Sequence, residues 1–153
     1  MTNKLSASDI DTASKRLNDI VLKTPLQFSK RLSKEYNAKV YLKREDLQEV
    51  RSYKIRGAYN LMSSLTNTQK AKGVVCASAG NHAQGVAFSA SHLNIKATIF
   101  MPIITPLQKI NRVKAFGGSW VDVRLEGQNY DETYKAARVY CNYKNAAFVH
   151  PFK

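Results

Sequence analysis

The chain has 153 residues, with 24 lysines and arginines against 11 aspartates and glutamates, a net charge of +13 at pH 7. That length suits one ordinary globular domain, and the 44% hydrophobic content agrees with a buried core. No apolar run approaches the roughly 20 residues of a membrane span, and the polar start MTNKLSASDIDTASKRLNDIV lacks the apolar segment and cleavage site of a signal peptide.

In chain order, residues 8–21 read as an amphipathic helix, with Ser8 as its cap and Ile10, Ala13, Leu17 and Ile20 at helical spacing. Thr24-Pro25 breaks that pattern. Ser29 to Tyr36 reads as a short helix, and residues 39–42 alternate like a strand. A further helix is expected from Tyr53 to Leu65, capped by Ser52, with Ile55, Tyr59, Met62 and Leu65 on one face.

After Gly73 the rhythm turns regular. Buried strands are expected at Val74–Ala77, Ala97–Met101, Trp120–Val123 and Ala147–Val149, with helices at Asn81–Leu93, Pro106–Phe116 and Tyr130–Tyr143 between them. Pro106 suits a first helical turn, and Gly117-Gly118 suits a helix end. Strands alternating with helices at this interval imply parallel strands joined by crossover helices, an α/β unit.

The charge is unevenly spread. From Arg51 to Val121 there is no Asp or Glu but nine Lys or Arg. Such a segment suits a small anionic ligand, or it lacks a partner segment that carries the balancing acids. A nucleic-acid surface is not expected, because the cations are scattered and no nucleic-acid motif accompanies them. Cys76 and Cys141 are far apart and outside metal spacing, which fits unpaired thiols in a reduced, cytoplasmic protein.

Two stretches could carry chemistry. In VRSYKIRGAYN, Lys54 lies between Arg51 and Arg56 at the start of the expected helix. The helix dipole and the two cations would disfavour the ammonium form, as a Schiff-base lysine requires; otherwise Lys54 is a solvated cation on a basic face. In CASAGNHAQGVA, a strand ends at Ala77, a turn follows at Ser78-Ala79-Gly80, and a helix opens near Asn81. Free N–H groups at such a start receive a carboxylate or phosphate, Gly80 permits close approach, and Asn81 can donate to a ligand oxygen. The turn alone is equally an ordinary strand-to-helix connection, matching neither the phosphate-loop nor the dinucleotide pattern. His82 borders the turn. His82, His92 and His150 are too dispersed to suggest a metal.

Taken in order, Lys-Arg-Glu-Asp-Leu (43–47), Ser-Tyr-Lys-Ile-Arg-Gly-Ala-Tyr (52–59) and Ser-Ala-Gly-Asn-His-Ala-Gln-Gly (78–85) resemble the threonine dehydratases, within the fold-type II pyridoxal-phosphate enzymes. The resemblance continues through residues 101–109 and reaches His150-Pro-Phe152. It implies a tryptophan synthase β-like fold: residues 1–70 as an incomplete N-terminal part of the large domain, and residues 71–150 as a three-layer, parallel-sheet small domain.

The resemblance also implies roles. Lys54 matches the lysine that holds pyridoxal 5'-phosphate and moves protons at the substrate Cα. Asn81 matches the residue bonded to the cofactor's phenolic oxygen. Ser78, Ala79, Gly80, Asn81 and His82 match the loop that receives the carboxylate of a small amino acid, threonine or serine. Racemases of the group carry serine where Ala79 stands, so elimination to 2-oxobutanoate and ammonia is implied. Tyr53 replaces the usual phenylalanine.

Family members are more than twice as long and usually homo-oligomeric. The glycine-rich loop for the cofactor phosphate has no match among these residues, so the expectation is an N-terminal fragment with little activity alone. The other reading is a non-catalytic α/β module that binds a small anion at the 78–82 turn.

Overall fold

The computed structural model describes residues 5–151. Helix α1 spans Ala7–Arg16 and is closed by a capping box in which Ser6 and Asp9 satisfy each other's backbone N–H groups. The expected helix over 8–21 is therefore shorter, and Ser6 rather than Ser8 caps it. Asn18-Asp19 stops the helix with Asp19 at φ 60°, so Ile20 and Val21 reach the core cluster of Val50, Ile55 and Phe88 from a loop.

Strands β1 (Leu26–Phe28) and β2 (Tyr41–Lys43) pair antiparallel, with helix α2 (Lys30–Glu35) between them. Ser29 caps α2 by accepting from Leu32 N–H. All six residues of the two strands are exposed.

Helix α3 runs Lys54–Ser64 and buries Ile55, Ala58, Tyr59 and Met62. Ser52 does not cap it. Tyr53 occupies the cap position with helical angles, and the Ser52 hydroxyl is buried without a partner. Helix α4 (Asn67–Lys72), which the periodicity did not indicate, is closed by a Thr66/Gln69 capping box.

Four parallel strands follow, β3 (Val74–Ala77), β4 (Ala97–Met101), β5 (Val121–Leu125) and β6 (Ala147–Phe148), in the order β5-β4-β3-β6. Helices α5 (Asn81–Leu93), α6 (Leu107–Gly117) and α7 (Tyr130–Lys144) connect them. Alternation along the strands fills both faces. Val74, Cys76, Ile99 and Met101 pack with Ala83, Val86, Ala87 and Ala90 of α5 and with Ile110 and Val113 of α6. Val75, Ala77 and Phe100 pack with Ala137 and Cys141 of α7. These are the three layers expected of an α/β fold.

Helix α3 forms a further layer over α5, and its Ala58 and Met62 join the same core as β3 and β4. Pro106 is the cap of α6 with extended ψ 138°, one residue before the helical turn. Gly118 closes α6 at φ 52°. At Gly117 a Cβ would stand 2.1 Å from the Val121 side chain, so only glycine lets α6 turn back so tightly.

Candidate active site

The first turn of α3, the β3–α5 turn and the chain leaving β6 meet at one place. Lys54 opens α3, and its Nζ donates to the Pro151 carbonyl at 2.7 Å. His82, in the first turn of α5, is buried, and its Nε2 lies 2.9 Å from the Val149 carbonyl. A carbonyl only accepts, so Nε2 carries the proton in that bond. Burial holds the His82 imidazolium below its ordinary pKa, the Val149 bond opposes this, and nearby Lys54 and His150 add to the lowering. The ring is therefore neutral near pH 7, with Nδ1 left as an acceptor.

Between these groups lies a cavity of about 110 Å³ walled by Tyr53, Lys54, Gly57, Ala58, His82, His150 and Pro151. Tyr53 presents its ring 5.4 Å from Lys54 Nζ. Two sequence-selected residues, Lys54 and His82, thus line one cavity. Ser78, Ala79, Gly80 and Asn81 lie on the turn beside it and are not among its walls.

That turn leaves β3 at the C-terminal edge of the sheet, where open α/β sheets bind ligands. Ser78 N–H donates to the Phe100 carbonyl, and Gly80 N–H to the Ser78 hydroxyl at 3.2 Å. Gly80 is the cap residue of α5, and no side chain caps that helix. A Cβ built on Gly80 meets nothing within 4 Å, so open space lies over the turn. Asn81 is exposed.

Gly85 brings the two helices together. A Cβ there would stand 3.0 Å from the Lys54 carbonyl oxygen and 3.2 Å from Ile55 N, so α5 crosses α3 backbone to backbone at the lysine itself. A glycine inside a helical pattern is the usual sequence mark of such an approach.

The cationic surroundings expected of Lys54 are only partly present. Arg51 is exposed at φ 59°. Arg56 is committed to Glu45 through two bonds, Nε to Oε2 and Nη2 to Oε1, both 2.8 Å. Thr24 donates to the same carboxylate at 2.6 Å and Gln48 at 3.2 Å. These bonds, with Arg56 foremost, hold the Glu45 carboxyl down to about 2. Gln48 also bonds Leu22 N–H and carbonyl, so the network pins residues 22–24 and 45–48 to the first turns of α3. Glu45 and Arg56 lie 11 residues apart in no helical register, so no local pattern pairs them.

A sequence profile described as "pyridoxal-phosphate dependent enzyme" matches residues 17–153. The chain is 56% identical over 149 residues to an L-threonine dehydratase, biosynthetic IlvA, of Staphylococcus epidermidis, covering 97% of this chain and 35% of that protein. It thus spans about a third of that relative's length. Among solved structures, the processed form of threonine deaminase isoform 2 from Solanum lycopersicum superposes with a TM-score of 0.86 at 39% identity, covering 97% of this chain and 41% of that one. Maize serine racemase superposes with a TM-score of 0.87 at 30% identity, over 95% and 44%. No helix among the described residues is long and apolar enough to cross a membrane. With a lysine and an open turn at one edge of a parallel sheet, and with that profile running from Leu17 onward, the chain belongs to the pyridoxal-phosphate dependent enzyme family.

Proposed function

We propose that these residues are the lysine-bearing part of a pyridoxal-phosphate-dependent threonine and serine dehydratase, which converts L-threonine to 2-oxobutanoate and ammonia once the rest of the fold is supplied. The observation that carries this reading is the convergence of Lys54 and the 78–82 turn beside one cavity.

The residues present fit one end of the cofactor. A primary amine is seated at the cavity wall, an aromatic ring stands beside it, and the adjoining turn has open space where a side chain would otherwise lie. The described cavity walls hold no run of glycines to cradle the cofactor's phosphate. Gly57 is the one glycine among the cavity's described walls, and we place the glycine-rich phosphate loop outside these 153 residues. When bound, pyridoxal phosphate supplies an electron sink for the charge left as the substrate Cα proton departs.

The chain's own part is positional and acid–base. Lys54 would hold the cofactor through Nζ and, once displaced there by the substrate amine, would take the Cα proton. Uncapped N–H groups at the start of α5 receive the substrate carboxylate, aided by the helix dipole. Asn81 would hold the cofactor ring by donating to its phenolic oxygen. Neutral His82 adds no charge to the carboxylate turn and anchors it through Nε2–H to Val149. Ala79 has no group able to deliver a proton to the face opposite Lys54, so loss of the β-hydroxyl is favoured over inversion at Cα.

The test joins this chain to the remaining length of the Staphylococcus epidermidis relative and measures 2-oxoacid release from L-threonine. Turnover is expected from the joined protein, abolished by Lys54→Ala and minimal for the 153 residues alone. A folded, cofactor-loaded joined protein with no release would overturn the proposal.

A further inference from the structure

Two backbone carbonyls of the short segment beyond β6 face the starts of α3 and α5. The Val149 carbonyl accepts from His82 in α5, and the Pro151 carbonyl accepts from Lys54 in α3. One short strap thus serves both helices, through carbonyls two residues apart. The strap is anchored on its other side: Val149 N–H donates to the Val75 carbonyl at 2.8 Å, and the Val149 side chain is buried in the main core. His150 packs edge-on to Tyr134, with ring centroids 6.0 Å apart.

We infer that the Pro151 carbonyl is a positioning acceptor for Lys54: by taking one Nζ hydrogen it fixes the end of a four-bond side chain against the cavity, which makes this amine preferentially reactive toward aldehydes. A lysine side chain has ample rotamer freedom to lose. An acceptor fixed by the sheet removes that freedom before any reactant arrives, which is the entropic part of catalysis by orientation. This rests on the proposed function in one respect only, that Lys54 is the amine that condenses.

The experiment uses the 153-residue chain and pyridoxal, which carries the aldehyde without the phosphate. Reduction with borohydride fixes the adducts, and peptide mass spectrometry compares Lys54 with the exposed Lys72 and Lys135. Placing the α-hydroxy acid counterpart of phenylalanine at position 152 turns the Pro151–Phe152 amide into an ester. Its carbonyl is a poorer acceptor, and every side chain is unchanged. Pro151→Ala keeps the amide carbonyl and serves as the conservative control.

The native chain is expected to label Lys54 in excess. The ester variant should lose about fivefold of that excess, the worth of one ordinary hydrogen bond, at an unchanged melting temperature, and Pro151→Ala should keep it. Excess labelling that survives in the ester variant would overturn the positioning role and leave the proposed function standing. So would an equal loss in Pro151→Ala. No excess at Lys54 in the native chain would overturn the lysine assignment itself, and the positioning role with it.

Discussion

Replacing Glu45 by glutamine removes one charge from the part-buried network that holds the start of α3. The glutamate side chain is only 15% exposed and meets Arg56 through two bonds. Holding a carboxyl at about 2 rather than its usual 4.5 corresponds to roughly 3 kcal/mol of stability at neutral pH. The sign follows from a lowered folded-state value. The contribution is complete above the unfolded value of 4.5 and is lost as pH falls toward 2. Glutamine preserves the length and one acceptor, but it cannot accept both guanidinium bonds and leaves Arg56 without its counter-charge. Urea denaturation at pH 7 should show Glu45→Gln less stable by about 3 kcal/mol, and the gap should close as both proteins are titrated toward pH 2. Equal stabilities at pH 7, or a deficit undiminished near pH 2, would refute the reasoning.

Gly85→Ala gains helix propensity of about 1 kcal/mol but presses its methyl on three backbone atoms of Lys54 and Ile55, which cannot yield one at a time. A net loss of roughly 1 kcal/mol is expected from such overpacking; a raised melting temperature would show that α3 gives way freely. His82 should titrate below an ordinary histidine in an NMR pH series, because burial opposes its charging. Its neutral form is shared with the unfolded chain only above about 6.5, so its contribution to stability is complete there and is lost as pH falls through the lower folded value. A His82 midpoint at or above the ordinary value would contradict the buried, Nε2–H ring.

The sheet was readable because its central strands β3 and β4 carry apolar residues for two covered faces, and α5 matched its expected bounds at both ends. Lys54 and the 78–82 turn stand out in the sequence because a lysine between two arginines and a glycine-bounded turn leave local marks. Their common cavity does not. It depends on backbone acceptors 97 residues from Lys54 and 67 from His82, and a carbonyl looks alike at every position of a sequence. Ser52 misled for a similar reason. A serine before a helix suggests a cap, but Tyr53 already has helical angles there, leaving the hydroxyl buried away from the amides. The cation crowding expected around Lys54 is reduced because Glu45, remote in register, takes Arg56.

The β1–β2 ribbon displays Leu26, Phe28, Tyr41 and Leu42 to water. A two-stranded ribbon with open edges is a template for pairing with another copy of itself. A net charge of +13 opposes that pairing by long-range repulsion. Colloidal behaviour should then be set by ionic strength: dispersed in dilute buffer, and self-associating once added salt shortens the reach of that repulsion to a few ångströms.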